Sequence, residues 1–269
     1  MSYVFGHLEL IESALKRPPF GLITDVDGTI SPTAPTPQQA KVSRLCRQYL
    51  ATLCHRLALV AAISGRPATE VRDMVGIDGM VYIGNHGLER LVKGHPEFPQ
   101  NVQQYLTVIK SVIKELTPLL SIEGITIENK GVTATIHYRL CREPQLAEKE
   151  IMGAIKASPQ ASNLRIIKER MAIDLLPPIK MDKGTTILDL IQEYNLQSGI
   201  YLGDDVTDID AFRAIHTAGR NFNFHGFAIG ILSPEMPENL VAEVDFTLNG
   251  INDVERFLRW MSQQALESS

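Results

Sequence analysis

Short runs of apolar residues, each ending in glycine or polar side chains, recur at residues 20–23, 57–63, 80–83, 200–202, 227–232 and 246–248. Unbroken runs of this length predict strands buried on both faces. Helix-length amphipathic stretches lie between several of them, at 37–54, 68–75, 185–194 and 208–214. Strands alternating with helices predict a parallel sheet covered on both sides. A last helix is expected over 253–265, where Val254, Phe257, Leu258 and Met261 fall at helical spacing.

The middle of the chain has another rhythm. The pattern predicts a helix at 102–120, a strand at 125–128, the turn Asn129-Lys130-Gly131 and a strand at 132–139, then a helix at 145–157 and strands at 164–168 and 171–175. Helix, hairpin, helix, hairpin reads as a small α+β unit, residues 98–178, inserted into an α/β domain made of residues 1–97 and 179–269. Alternation places Val132, Ala134, Ile136 and Tyr138 on a packed face, and Thr133, Thr135, His137 and Arg139 on a face free to meet a ligand. Residues 31–37, with three prolines, read as a short stiff loop.

Composition narrows the functional classes. With 269 residues, 44% hydrophobic and 21% charged, the chain can bury a substantial core. Its 26 Lys+Arg against 31 Asp+Glu give a net charge of -5, so neither nucleic acid nor anionic lipid is an expected partner. An anionic substrate would need local cations or a bound metal. No apolar run approaches the roughly 20 residues of a membrane span, and the first residues lack a basic segment followed by an apolar stretch, so a cytoplasmic location is expected. Cys46, Cys54 and Cys141 are odd in number and lack CxxC spacing, which predicts ordinary thiols.

The chemistry gathers at predicted strand ends, where open α/β sheets bind ligands. Asp25-Val26-Asp27-Gly28-Thr29 follows the first apolar run, and Gly28 lets the chain turn so that the two carboxylates aim differently. One can act as nucleophile while the other handles protons. Gly203-Asp204-Asp205-Val206-Thr207-Asp208-Ile209-Asp210 follows a later run. So many carboxylates repel one another unless a cation sits among them, and hard oxygen ligands suit Mg²⁺. Asp208 and Asp210 also have a plain reading as helix N-terminal charge. Ser64-Gly65-Arg66 offers a hydroxyl and backbone donors to a phosphate, or a helix cap; Lys183-Gly184-Thr185 offers an ammonium at a helix start, or a solvated lysine.

In this order the motifs resemble the haloacid dehalogenase superfamily of phosphotransferases across the whole chain. The resemblance implies a Rossmann-like parallel-sheet core with an inserted α+β C2-type cap, residues 98–178. It implies that Asp25 attacks phosphorus to form an aspartyl-phosphate and that Asp27 protonates the leaving alkoxide and then activates water. Ser64, Gly65 and Lys183 hold phosphate oxygens, while Asp25, Asp204 and the main-chain carbonyl of Asp27 hold Mg²⁺.

Within the superfamily, Gly84-Asn85-His86-Gly87-Leu88-Glu89, the hairpin from Glu128-Asn129-Lys130-Gly131 to His137-Tyr138-Arg139, and the stretch 203–212 are similar to trehalose-6-phosphate phosphatases. That likeness implies a sugar-phosphate substrate, with sugar hydroxyls bound by Glu128, Lys130, Arg139 and Asp174 and with Asn85 and His86 at the mouth between core and cap. Asp174-Leu175-Leu176-Pro177 departs from the family's Glu-x-Arg-Pro, with a shorter acid and no arginine. Glucosylglycerol-phosphate, sucrose-phosphate and mannosylglycerate-phosphate are therefore alternative substrates. A phosphomannomutase and a non-catalytic sugar-phosphate sensor are the readings from other classes.

Overall fold

Phe20–Thr24 is buried at every position, as an unbroken apolar strand covered on both faces must be. The structure, a computed structural model, describes residues 2–221, 223–234 and 240–267. Its elements run α1 (Leu8–Leu15), β1 (Phe20–Thr24), α2 (Arg44–Cys54), β2 (Leu59–Ile63), α3 (Ala68–Val75), β3 (Val81–Gly84), β4 (Glu89–Val92), β5 (His95–Glu97) and α4 (Tyr105–Leu116). They continue with β6 (Thr126–Asn129), β7 (Ala134–His137), α5 (Pro144–Ala157), β8 (Arg165–Glu169), β9 (Ala172–Leu176), α6 (Lys183–Glu193), β10 (Ser198–Gly203), α7 (Asp208–Asn221), β11 (His225–Leu232), β12 (Phe246–Asn249) and α8 (Gly250–Glu267). The chain divides into a first unit, Met1–Glu97 with Met181–Ser269, and a second, Phe98–Lys180.

The first unit is built on an eight-stranded sheet, ordered β12-β11-β10-β1-β2-β3-β4-β5. From β12 to β3 the strands are parallel, as the alternating pattern predicts. β4 and β5 add an antiparallel edge that the pattern does not announce, because apart from buried Glu89 their residues are half-buried or exposed and they carry no apolar run. The single helix expected over 37–54 is corrected: a short 3-10 turn at Pro37–Gln39 gives way to extended backbone at Ala40, and α2 starts at Arg44. Ser43 sets that start, its Oγ accepting from the N–H groups of Leu45 and Cys46.

Successive residues of each strand face opposite layers. Leu22, Val60 and Ile200 pack with Leu50, Leu53 and Phe257 on one side, while Ile23, Ala61 and Tyr201 pack with Ile187, Phe212 and Ile215 on the other. Each buried Leu, Ile, Val or Phe side chain among these contributes roughly 1.5–3 kcal/mol. Burial also pushes the Cys46 thiol up to about 12 and the Cys54 thiol up to about 11, so both are ordinary protonated thiols.

Register places the site. Thr24 pairs with Leu202 on one side and with Ala62 on the other, so three strands far apart in sequence end side by side. The chain winds from β1 to β3 in one direction and from β10 to β12 in the other, which makes the β1–β10 seam a topological switch point.

In the second unit the sheet β6-β7-β9-β8 is antiparallel throughout. Ile109, Val112 and Leu116 of α4 and Ile151 and Ile155 of α5 cluster with Ala134, Ile136, Ile173 and Leu175. Tyr138 joins that packed face, as alternation predicts. On the opposite face Glu128 lies beside Thr135, and Thr135 beside Asp174, across three strands.

Candidate active site

Asp25 and Asp27 leave β1 in different directions. The Asp25 N–H continues the ladder, donating to the Leu202 carbonyl at 2.8 Å, and its side chain is only 7% exposed. Gly28 then turns the chain at φ +87°. A Cβ there would lie 2.1 Å from Oδ2 of Asp204, so the position needs glycine for space as well as for φ. The turn leaves the Asp27 side chain 38% exposed. Each aspartate is held by its own buried cation. Lys183 Nζ donates to Asp25 Oδ1 at 2.6 Å, whereas Arg66 donates to Asp27 through Nε at 2.6 Å and Nη2 at 3.0 Å.

Lys183 is no solvated lysine. It opens α6, where the Asp182–Thr185 capping box fixes the helix start, and its Nζ also donates to Asp208 Oδ1 at 2.7 Å. Burial works against its charge, but the Asp208 and Asp25 carboxylates more than offset this and hold the ammonium well above its usual range. Burial likewise pushes the Asp25 carboxyl well above its usual range; Lys183 opposes this, and Asp208 and Asp204 add to it.

Asp208 is the clamp of the site. Its Oδ1 accepts from Lys183 and from the Tyr201 hydroxyl at 2.6 Å, and its Oδ2 from the N–H groups of Asp204 at 2.8 Å and Asp205 at 2.9 Å. It folds back over Gly203, where a Cβ would lie 2.4 Å from its Cγ. The reading of Asp208 as mere helix-terminal charge is thereby corrected; Asp210, exposed in the first turn of α7, keeps it.

Asp25, Asp204 and Asp208 bring carboxylate oxygens within 4.8 Å of one another. Four donors engage Asp208, and Asp25 and Asp204 are the candidates to hold an ion. The Thr29 hydroxyl orients Asp204, donating to Oδ1 at 3.1 Å. Carboxylate oxygens crowded this closely, with Lys183 beside them, fit a small divalent cation with a preference for oxygen.

Ser64 is buried, and its Oγ accepts from the Arg66 N–H at 3.2 Å. Pro67, not Ser64, precedes α3 as its N-cap residue, which corrects the capping alternative. The turn 84–87 lies on this loop. Asn85 N–H donates to the Arg66 carbonyl at 2.8 Å and His86 N–H to the Ser64 carbonyl at 3.0 Å, while the His86 ring crowds Gly65, where a Cβ would meet Cε1 at 2.7 Å. Asn85 and His86 adopt left-handed φ of 50° and 59°, and Asn85 Nδ2 donates to Glu89 Oε2 at 2.5 Å. Asp25, Asp27, Ser64, Gly65, Asn85, His86, Lys183 and Asp204 thus gather in the first unit.

Glu128, Lys130, Arg139 and Asp174 belong to the second unit. Glu128 Oε2 lies 2.7 Å from His137 Nε2, and Asp174 accepts from the Thr135 hydroxyl. Lys130 sits in the hairpin turn, which closes through Asn129 Oδ1 accepting from the Gly131 N–H at 2.9 Å. Arg139 lies beyond β7 and donates to the Arg170 carbonyl at 3.3 Å, outside the Glu128–Thr135–Asp174 row. The face expected to be free for a ligand has its acids already paired within the sheet.

With this geometry in place, the trehalose-phosphatase family model matches residues 23–236. The chain belongs to the trehalose-phosphatase family. Among family members, trehalose 6-phosphate phosphatase RA3 of Zea mays is 27% identical over 280 residues, covering 96% of this chain and 74% of that one. Trehalose-phosphate phosphatase of Mycobacterium marinum is 34% identical over 207 residues, covering 72% of this chain and 51% of its own. The C-terminal domain of the C. albicans trehalose-6-phosphate phosphatase shares the fold, with a TM-score of 0.76, 18% identity, and coverage of 96% and 97%.

Motif reading left the partners of Arg66, Asp208 and Tyr201 unassigned. A signal was present for two of them: Asp208 stands four residues after Asp204 at a helix start, within reach of the loop amides, and Arg66 stands four before Glu70.

Proposed function

We propose that the chain hydrolyses trehalose 6-phosphate to trehalose and inorganic phosphate through an aspartyl-phosphate on Asp25. The observation that carries this reading is the buried Asp25–Lys183 contact at 2.6 Å beside Asp204, in a chain of this family. Asp25 attacks phosphorus, the ester P–O bond breaks with its electron pair going to the sugar oxygen, and that oxygen takes a proton from Asp27. Water then attacks the phosphoryl group, gives its proton to Asp27, and the Asp25–phosphorus bond breaks with its electrons returning to Asp25. Lys183 neutralises charge on the phosphoryl oxygens, and Ser64 and Gly65 donate to them. Asp25, Asp204 and the Asp27 carbonyl would hold Mg²⁺, which supplies charge neutralisation when bound.

The polar face of the second unit is assigned to the sugar, with Glu128, Lys130 and Asp174 contacting hydroxyls and Arg139 at its margin. Asn85 and His86, against the Ser64 loop, are assigned to substrate. Among the described residues no helix is long and apolar enough to cross a membrane; the proposed site of action is cytoplasmic. Asp174 in place of glutamate keeps sucrose-phosphate, glucosylglycerol-phosphate and mannosylglycerate-phosphate in the test. Phosphate release with Mg²⁺ should be fastest by kcat/KM on trehalose 6-phosphate among these, and abolished by EDTA. A faster rate on another member, or full activity in EDTA, overturns the corresponding part of the reading.

A further inference from the structure

Arg66 is only 7% exposed, and its guanidinium makes four hydrogen bonds. Nε and Nη2 meet the two oxygens of Asp27, Nη1 donates to Glu70, and Nη2 also donates to the Pro37 carbonyl at 2.9 Å. Its backbone is equally fixed, through Ser64 Oγ on one side and the Asn85 N–H on the other. Burial disfavours the charge, and Asp27 and Glu70 outweigh it, so the cation persists. A planar fork on both oxygens fixes the rotation of a carboxylate, which a single ammonium does not. The Asp27 side chain nevertheless stays partly exposed.

We propose that Arg66 is a positioning residue for Asp27: braced by Glu70, its guanidinium fixes the rotation of the Asp27 carboxyl group, which gives up and takes back the proton, and ties the Pro37 end of loop 31–37 to it. The inference rests on the reading of Asp27 as the proton-handling group. In this account Arg66 acts only through Asp27 and touches no reacting atom.

The test uses the full chain with two substrates. Trehalose 6-phosphate has an alkoxide leaving group that needs a proton, and p-nitrophenyl phosphate has one that needs little. Arg66→Lys keeps charge but loses the fork, so kcat/KM on the sugar phosphate should fall about a hundredfold, as misplacement near 1 Å does, and on the aryl phosphate less than about fivefold. Because water attack also uses Asp27, the same variant should show a burst of nitrophenolate followed by slow turnover. Glu70→Gln, one-third exposed on α3, should give the same pattern at about three- to tenfold and folds independently of how Arg66→Lys behaves. Equal losses on both substrates, or no loss, while Asp27→Asn remains selective for the sugar phosphate, overturn the positioning role. No selectivity in Asp27→Asn itself overturns the proton-handling reading instead.

Discussion

Asp208 carries four hydrogen bonds on a carboxylate with no exposed surface. Removing it leaves Tyr201, two loop amides and half of the Lys183 coordination without their acceptor. Breaking one partner of a buried charged network costs about 3–5 kcal/mol. Asp208→Ala should therefore lose at least about 3 kcal/mol in urea unfolding. A loss below about 1 kcal/mol would mean that water replaces the carboxylate and that the clamp is unimportant. Asp25, Asp27, Ser64 and Asp204 stand out in the sequence because each follows an apolar run, and Lys183 because it stands at a predicted helix start. Who holds whom was not legible there, since Asp27 meets Arg66 across 39 positions and Lys183 meets Asp25 across 158, and spacing encodes neither.

At the scale of elements, strands and helices with one dominant pattern were legible, and those shaped by context were not. β4 and β5 exist because the edge of β3 offers unpaired backbone groups, not because their residues are apolar. The break between Pro37–Gln39 and α2 is set by Ser43, a capping choice hidden inside an amphipathic stretch. Close approach of backbones was equally silent. Gly84 has φ -115°, open to any residue, yet a Cβ would lie 2.2 Å from the Ala68 nitrogen and 2.6 Å from the Arg66 carbonyl oxygen. Backbone gives little way, so Gly84→Ala should lower stability by about 1–3 kcal/mol and reduce turnover by shifting the Ser64–Arg66 loop. Unchanged melting and activity would show that the loop accommodates a methyl group. On α7, the Asp245 hydrogen bond at 3.1 Å raises His216 above its ordinary value. The folded-state pKa is the higher one, so the contribution is complete below about pH 6.5 and is lost as pH rises through the folded value. His216→Gln should therefore destabilise more at pH 5.5 than at pH 8; the reverse order contradicts the pairing.

Across the whole molecule, the proposed function puts phosphoryl chemistry in the first unit and sugar recognition in the second. Glu128→Ala or Lys130→Ala should lower kcat/KM on trehalose 6-phosphate about ten- to a hundredfold, as loss of a charged hydrogen bond does, and leave a small aryl phosphate nearly unaffected. Equal losses on both substrates would show that the hairpin supports the fold rather than the sugar. Passage of phosphate through Asp25 can be measured directly. The chain is mixed with trehalose 6-phosphate and Mg²⁺, quenched in acid within the first turnover, digested, and the peptide spanning Asp25 is weighed. The added mass of one phosphoryl group is expected on that residue, absent in Asp25→Asn, which also releases no phosphate. Phosphate release with Asp25 unmodified, or a tenth of the activity surviving in Asp25→Asn, would contradict it.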